Sequence, residues 1–247
     1  MDKTSEPVLI LAIDTTTEHG SLALAHGAEL CECREVYAQQ SYSRVLFDEI
    51  NMLLERNGAA IADVVLYAVA AGPGSFTGVR VGLTAAKGLA VVHRRMIAPV
   101  SNLAATAWQA PPGPRFLVPV LDAHRGEVYA TAYERSLDSG GAGELKALMP
   151  ELVARPAALE ERLEGLNLPP AETAFCGPDM DRLPLARFQK LETPRALAPA
   201  VAALGWRMWN EGEAVEPSEA DANYVRRSDA EIFSRPWGAK QPGERQR

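Results

Sequence analysis

The chain has 247 residues, 47% of them hydrophobic and 23% charged, enough for one large domain or two lobes with cores of their own. Its formal net charge is −7 and its pI is near 5.2, which argues against a phosphate backbone as the main partner of the chain as a whole. Residues 1–7 are polar, the apolar run 8–13 is too short for a signal-peptide core, no run approaches the ~20 apolar residues of a membrane span, and Cys31, Cys33 and Cys176 are too few for a disulfide framework, so the expectation is a cytoplasmic protein with no membrane partner.

The run 8–13 reads as a buried strand ending at Asp14, and 20–25 and 29–37 as two further strands on tight connections, an antiparallel meander. Residues 43–57 read as a helix, with Val45, Leu46, Ile50, Leu53 and Leu54 on one stripe and Ser41 or Ser43 as its cap. A buried strand at 64–71, a helix at 77–94, a strand at 96–100 and a helix at 102–109 follow. Pro111-Pro112-Gly113-Pro114 is a stiff linker. Beyond it strands are expected at 116–121, 127–133, 145–148 and 173–176, a flexible turn at 139–143, and helices at 156–163 and 198–210. The expected division is an N-terminal lobe over 1–110, a C-terminal lobe over 111–212 and an extended polar tail over 213–247.

The two halves share one device, a strand ending in aspartate, a polar turn, then a strand opened by glycine. It occurs at Asp14-Thr15-Thr16-Thr17-Glu18-His19-Gly20 and again at Asp122-Ala123-His124-Arg125-Gly126. Such a pair resembles the two phosphate turns of actin-like ATPases and sugar kinases, where backbone N–H groups face phosphate and the carboxylate holds a hydrated Mg²⁺. Asp14, Thr15, Thr16 and Asp122 are therefore candidates for vestigial phosphate turns. The competing reading is that each aspartate only caps its own hairpin.

Gly72-Pro73-Gly74-Ser75-Phe76-Thr77-Gly78 joins a strand to a helix. No Gly-Lys-Ser/Thr follows, so it is not a P-loop, and its third glycine is misplaced for the dinucleotide pattern Gly-x-Gly-x-x-Gly. The helix after it carries Gly78, Gly82 and Gly88, each costing about 1 kcal/mol against alanine. Gly78, Gly82, Ala86 and Ala90 form a row at spacing four, which lets another element approach closely. Val81, Ala85 and Leu89 form a second apolar row. The first row either packs within its own lobe, against helix 43–57, or receives another molecule, and the width of both apolar faces favours the second. The candidate partner interface is accordingly Val45, Leu46, Ile50, Leu53, Gly78, Val81, Gly82, Ala85, Ala86, Leu89 and Ala90.

Three segments, Ile10 to Thr17, Gly72 to Leu89, and Asp122 to Tyr129, together with the weaker Asn223-Tyr224-Val225-Arg226, resemble the TsaB (YeaZ) family of tRNA threonylcarbamoyladenosine biosynthesis proteins. The resemblance implies an α/β, actin-like fold (ASKHA, ribonuclease H-like) of duplicated βββαβα lobes with mixed sheets flanked by helices. It implies a non-catalytic subunit that pairs with TsaD, or with itself as a homodimer, through the two helices 43–57 and 77–94. TsaE, an ATPase, joins the same assembly, and tRNA is met only indirectly. The chain departs from many relatives at Gln39-Gln40-Ser41-Tyr42-Ser43-Arg44, where they have a His-Ser-Glu type of entry. A basic tail over 228–247 runs past the family's usual end.

The residues give the family's old peptidase label no support. His19, His26, His93 and His124 include no His-x-x-x-His pair, and zinc takes three or four close ligands, so no metal site is expected. Gly74-Ser75-Phe76 lacks the nucleophile-elbow spacing, and Ser75 and Thr77 read as helix caps, so no catalytic residue is expected either. Phe175-Cys176-Gly177-Pro178-Asp179 offers one glycine and a stiff proline as a base pocket. No intrinsic cofactor is expected, with weak or shared ATP or ADP at the partner interface left open. The alternative function is an ATP-dependent actin-like phosphotransferase acting alone.

Overall fold

A computed structural model describes residues 8–37, 41–136 and 143–225. The expectations at Gln39-Gln40, over most of the 139–143 turn and over the 228–247 tail lie outside the described residues.

In the first lobe β1 (Leu9–Asp14), β2 (His19–His26) and β3 (Glu29–Tyr37) form the antiparallel meander, with Leu9 opposite His26 and Asp14 opposite Ser21. There follow α1 (Tyr42–Arg56), β4 (Leu66–Ala70), α2 (Phe76–His93), β5 (Met96–Val100) and α3 (Asn102–Trp108). β4 lies parallel to β1 and β5 parallel to β4, giving the order β3-β2-β1-β4-β5. Parallel neighbours need a crossover, which α2 supplies between β4 and β5. Because both faces of this sheet are covered, β1 is apolar from Leu9 to Ile13 rather than alternating. Leu9, Leu11 and Ile13 join the cluster of α1 and α2, while Ile10 and Ala12 join a second cluster on the opposite face.

The second lobe contains β6 (Phe116–Asp122), β7 (Val128–Ala130), β8 (Tyr133–Arg135), β9 (Leu145–Ala147), β10 (Leu152–Ala154), α4 (Pro156–Glu164), β11 (Thr173–Gly177) and β12 (Gln189–Glu192). Its sheet runs β10-β7-β6-β11-β12, with β8 pairing both β6 and β9. The single strand expected at 127–133 is thus two, β7 pairing the end of β6 and β8 its beginning. β10 and β12 were not expected. The linker is closed by the buried guanidinium of Arg135, which donates to Ala110 O (2.9 Å), Pro111 O (2.9 Å) and Pro114 O (3.0 Å).

The last helix, α5 (Ala198–Glu211), is placed differently from the sequence division. It covers the first sheet, where Ala198, Ala200, Val201 and Ala202 pack on the alanine-rich face of Ala12, Ala23, Ala25, Ala68, Ala70 and Ala98. Small residues on both sides let helix and strands come close. Ser21 Oγ accepts the Ala198 N–H (3.0 Å), a cap supplied from across the fold. The chain beyond α5 also returns to the first lobe. Val215 pairs with Ile97, and the Asn223 N–H donates to Ala71 O (2.8 Å). This strap, at the start of the segment read as an extended tail, is held by the first lobe.

Candidate functional site

β1, β4 and β5 run parallel, so the connections leaving their C-terminal ends lie side by side. These connections are the turn after Asp14, the loop 71–75 and the start of α3. Asn102 ties all three together. Its Nδ2 donates to Thr16 Oγ1 (2.7 Å) and Pro73 O (3.1 Å), and its Oδ1 accepts the Gly72 N–H (3.2 Å). The Asn102 N–H donates to Gly72 O (2.8 Å) and the Ser75 N–H to Thr16 O (2.8 Å). The glycine loop is therefore a corner locked by the protein's own polar groups. Ser75 caps α2 by accepting the Gly78 N–H (3.3 Å), whereas Thr77 lies within the helix and is exposed.

That corner sets which side of α2 faces inward. A Cβ on Gly78 would stand 2.1 Å from Thr15 O, and one on Gly82 would stand 2.5 Å from Thr15 Oγ1. Thr15 Oγ1 donates to Gly78 O (2.7 Å), closing the contact. Gly78, Gly82, Ala86 and Ala90 are buried. At Gly78 and Gly82 the close approach that the row permits is thus made by the protein's own β1 turn. Ala85 is also buried, as are Leu46, Ile50 and Leu53 in α1. Val45, Val81 and Leu89 are partly buried against the same core. Of the candidate interface residues, the core holds eight, and only these three keep a solvent-facing part.

The solvent side of α2 is a different stripe of the same period. Thr77, Thr84, Gly88, Val91 and Val92 are exposed, and Val81 lies between them in the 3.6-residue repeat. Val91 is 64% and Val92 74% exposed, and a Cβ on Gly88 would meet nothing within 4 Å. α1 adds the exposed Phe47 and Met52. None of these residues carries a charge, and together they form an apolar outer face of the helix pair.

The two aspartate turns share one geometry. Asp14 Oδ1 accepts the Thr16 N–H (2.9 Å) and hydroxyl (2.6 Å), and Asp122 Oδ1 accepts the His124 N–H (2.7 Å). In both, the carboxylate accepts a hydrogen bond from the backbone N–H two positions on. Their surroundings differ. Asp14, Thr15 and Thr16 are buried, whereas Asp122 is exposed. Burial pushes the Asp14 carboxyl above the ordinary carboxylate value, against the bonds from Thr16 that pull it down. Among the described residues no group of three or more His, Cys, Asp or Glu is placed to hold a metal ion.

Three features escaped sequence reasoning. Asn102 is the hub of the corner, and its signal was a Ser-Asn pair opening a helix directly after a strand. Glu151 accepts from Ser101 Oγ and from Asn223 Nδ2 (2.6 Å), joining second lobe, first lobe and strap. Burial raises its carboxyl above the usual range, partly offset by those two bonds. Arg80, Phe76 and Tyr224 form an exposed cluster at the start of α2.

A family model matches residues 36–174, that of TsaD, tRNA N6-adenosine threonylcarbamoyltransferase. With the two mixed sheets and their flanking helices, this match defines an actin-like α/β protein of the threonylcarbamoyltransferase-related class. The relatives are more specific. TsaB of Escherichia coli (strain K12), a tRNA threonylcarbamoyladenosine biosynthesis protein, is 30% identical over 230 residues, 90% of this chain and 96% of the relative. TsaB of Haemophilus influenzae is 33% identical over 163 residues, 64% of this chain and 69% of the relative. The solved structure of YeaZ from Pseudomonas aeruginosa superposes with a TM-score of 0.72 at 28% identity, covering 88% of this chain and 99% of that one. The chain belongs to the TsaB (YeaZ) family. Among the described residues no helix is long and apolar enough to cross a membrane.

Proposed function

We propose that this protein takes part in tRNA threonylcarbamoyladenosine biosynthesis as a non-catalytic cytoplasmic subunit. In this reading it pairs with a TsaD-like transferase, a TsaE-like ATPase joins the pair, and tRNA is met through those partners. A homodimer forms through the same face when the partner is absent, and any ATP or ADP is weakly held or shared at the interface. The pathway comes from the relatives' names. The observation that carries the subunit role is the apolar stripe on the outer side of α2, with Val91 and Val92 in solvent beside the exposed Phe47 and Met52 of α1. Interfaces of this kind have an uncharged core and a polar rim. The locked Gly72–Ser75 corner favours a scaffold over a site that must open for substrate.

Gly88→Arg tests the reading. Gly88 has open space around it, so the new side chain leaves the fold intact and puts a charge in the middle of the face. The expected result is a melting temperature no lower than that of the wild type, with loss of co-elution with the TsaD-like subunit of the same organism. A variant that co-elutes as well as the wild type would place the interface elsewhere. Titration of the isolated chain with ATP and Mg²⁺ separates this role from a phosphotransferase acting alone, which requires tight binding.

A further inference from the structure

The exposed cluster on the first turns of α2 is built around one cation. The Arg80 guanidinium lies 3.7 Å from the centre of the Phe76 ring, and its Nε donates to Tyr224 Oη (2.9 Å). The rings of Phe76 and Tyr224 stand 5.4 Å apart, tilted by 34°. Tyr224 comes from the far end of the sequence. The strap delivers it, fixed by Val215 on Ile97 and by Asn223 on Ala71 and Glu151. A long, mobile side chain is thereby held flat in one orientation before anything binds it.

What the cluster lacks among the described residues is a counter-charge. The two terminal nitrogens of Arg80 have no hydrogen-bond or ion-pair partner among the described residues. Phe76 is 41% and Tyr224 46% exposed. The surrounding helix is one-sided in charge. From Phe76 to Arg95 the sequence carries Arg80, Lys87, Arg94 and Arg95 and no Asp or Glu, in a chain whose acidic residues outnumber its basic ones by 32 to 25. None of these four cations forms a salt bridge among the described residues.

We propose that Arg80, held by Phe76 and Tyr224, anchors a carboxylate of the TsaD-like subunit, so that the α2 face selects an acidic partner over a second copy of this chain. The inference rests on the reading of α2 as the subunit interface and adds the chemistry of the partner to it. A planar guanidinium with both terminal nitrogens free takes a carboxylate by two parallel hydrogen bonds. Arginine and aromatic residues are the side chains that dominate binding energy at interfaces, and they do so when well packed and desolvated. A second copy presents cations rather than carboxylates along its own α2, which has no Asp or Glu from Phe76 to Arg95. A two-fold pairing of α2 on α2 sets cations against cations, a like-charge arrangement that suppresses the wrong partner. The neighbouring α1 exposes Arg44, Asp48, Glu55 and Arg56, a balanced set without an acidic face.

The test measures the affinity of the full chain for the purified TsaD-like subunit of the same organism, and its self-association by sedimentation. Arg80→Ala is expected to weaken the heteromer by roughly 30-fold or more. Arg80→Lys is expected not to restore it, because a point charge cannot make the two-pronged contact. Tyr224→Phe, which removes only the hydroxyl, is expected to weaken binding several-fold. Arg80→Glu is expected to abolish the heteromer and to strengthen self-association, since it can now meet Arg94 of a second copy. Arg80 is on the surface, and unchanged melting curves verify that folding is intact. Heteromer affinity of Arg80→Ala within twofold of a wild type that binds well would overturn the anchor and leave the interface reading standing. A wild type that does not bind the TsaD-like subunit at all would overturn both. Weaker self-association of Arg80→Glu would show that Arg80 serves a second copy, against the proposed selectivity.

Discussion

Two identical substitutions in one helix, Gly78→Ala and Gly88→Ala, separate the packing described for α2 from its alternative. Alanine gains about 1 kcal/mol over glycine at a helix interior position. At Gly88 nothing opposes that gain, because the added carbon meets open space. At Gly78 the carbon would lie 2.1 Å from Thr15 O, 3.1 Å from Thr15 C and 3.3 Å from Thr16 Cα. All three are backbone atoms of a turn pinned by Asp14 and Asn102, so no side-chain rotation relieves the contact. Overpacking of this kind costs about 3 kcal/mol, the upper end of its usual range. Moving the helix away also breaks the bond from Thr15 Oγ1 to Gly78 O, worth about 1 kcal/mol. After the propensity gain, Gly78→Ala is destabilised by about 3 kcal/mol, and the two variants differ by about 4. For a chain of this size each kcal/mol moves the melting temperature by about 2–4 °C, so the midpoints should be about 8–16 °C apart. Thermal melts of the isolated chain, backed by urea unfolding, measure this directly. If the glycine row faced an absent partner, both variants would gain stability in isolation and only binding would suffer. Parallel shifts of the two midpoints, or a difference below 1 kcal/mol, would refute the inward packing.

Asn102→Ala should leave the Gly72 N–H, the Thr16 hydroxyl and Pro73 O without their shared partner inside the fold, a loss of about 2–4 kcal/mol. Limited proteolysis should then cut within the loop 71–75, and an uncut, equally stable variant would show that the corner is held by packing alone. Tyr67 is fully buried, and its hydroxyl has no hydrogen-bond partner among the described residues. Tyr67→Phe should therefore be neutral or stabilising by about 1 kcal/mol at neutral pH. Burial, opposed by the nearby charge of Arg95, raises this phenol from 10 to about 12. A raised folded-state value means its contribution is complete below pH 10 and is lost as pH climbs through about 12, so the variant should lose part of the wild type's alkaline destabilisation. Unfolding curves at pH 8 and 11 check this, and an identical pH dependence in the two proteins would count against it.

The sequence shows which residues share a face far better than what lies opposite that face. The period of 3.6 puts Gly78, Gly82, Ala86 and Ala90 in one row, but it equally puts Thr77, Val81, Thr84, Gly88 and Val91 in another. Only topology decides between them. β1 and β4 are parallel neighbours, so the turn leaving β1 stands beside the helix leaving β4, and Thr15 fills the space that the glycines leave. The meander, α1, α2 and β5 were legible because each is a local pattern with its own cap or turn. α5 was legible as a helix but not as part of the first lobe, since its alanine face fits an alanine floor made of strands more than 90 residues upstream. β7 and β8 read as one strand because the break at Thr131–Ala132 arises when two strands share β6, not from any turn residue.

The same limit explains why the glycine row reads as an outward face in the sequence. A sequence row of glycines shows that something approaches closely, and here the approach is already made within the chain. On the proposed reading, a partner meets exposed apolar side chains on and beside α2, among them Val91, Val92, Phe47, Met52, Phe76 and Tyr224. Tyr224 reaches α2 only because the strap crosses back over the first lobe, a contact between positions 144 residues apart that no local pattern encodes. The outer face of α2 is thus assembled from two distant stretches of sequence. Removing the strap should alter what that face binds even with every residue of α2 unchanged.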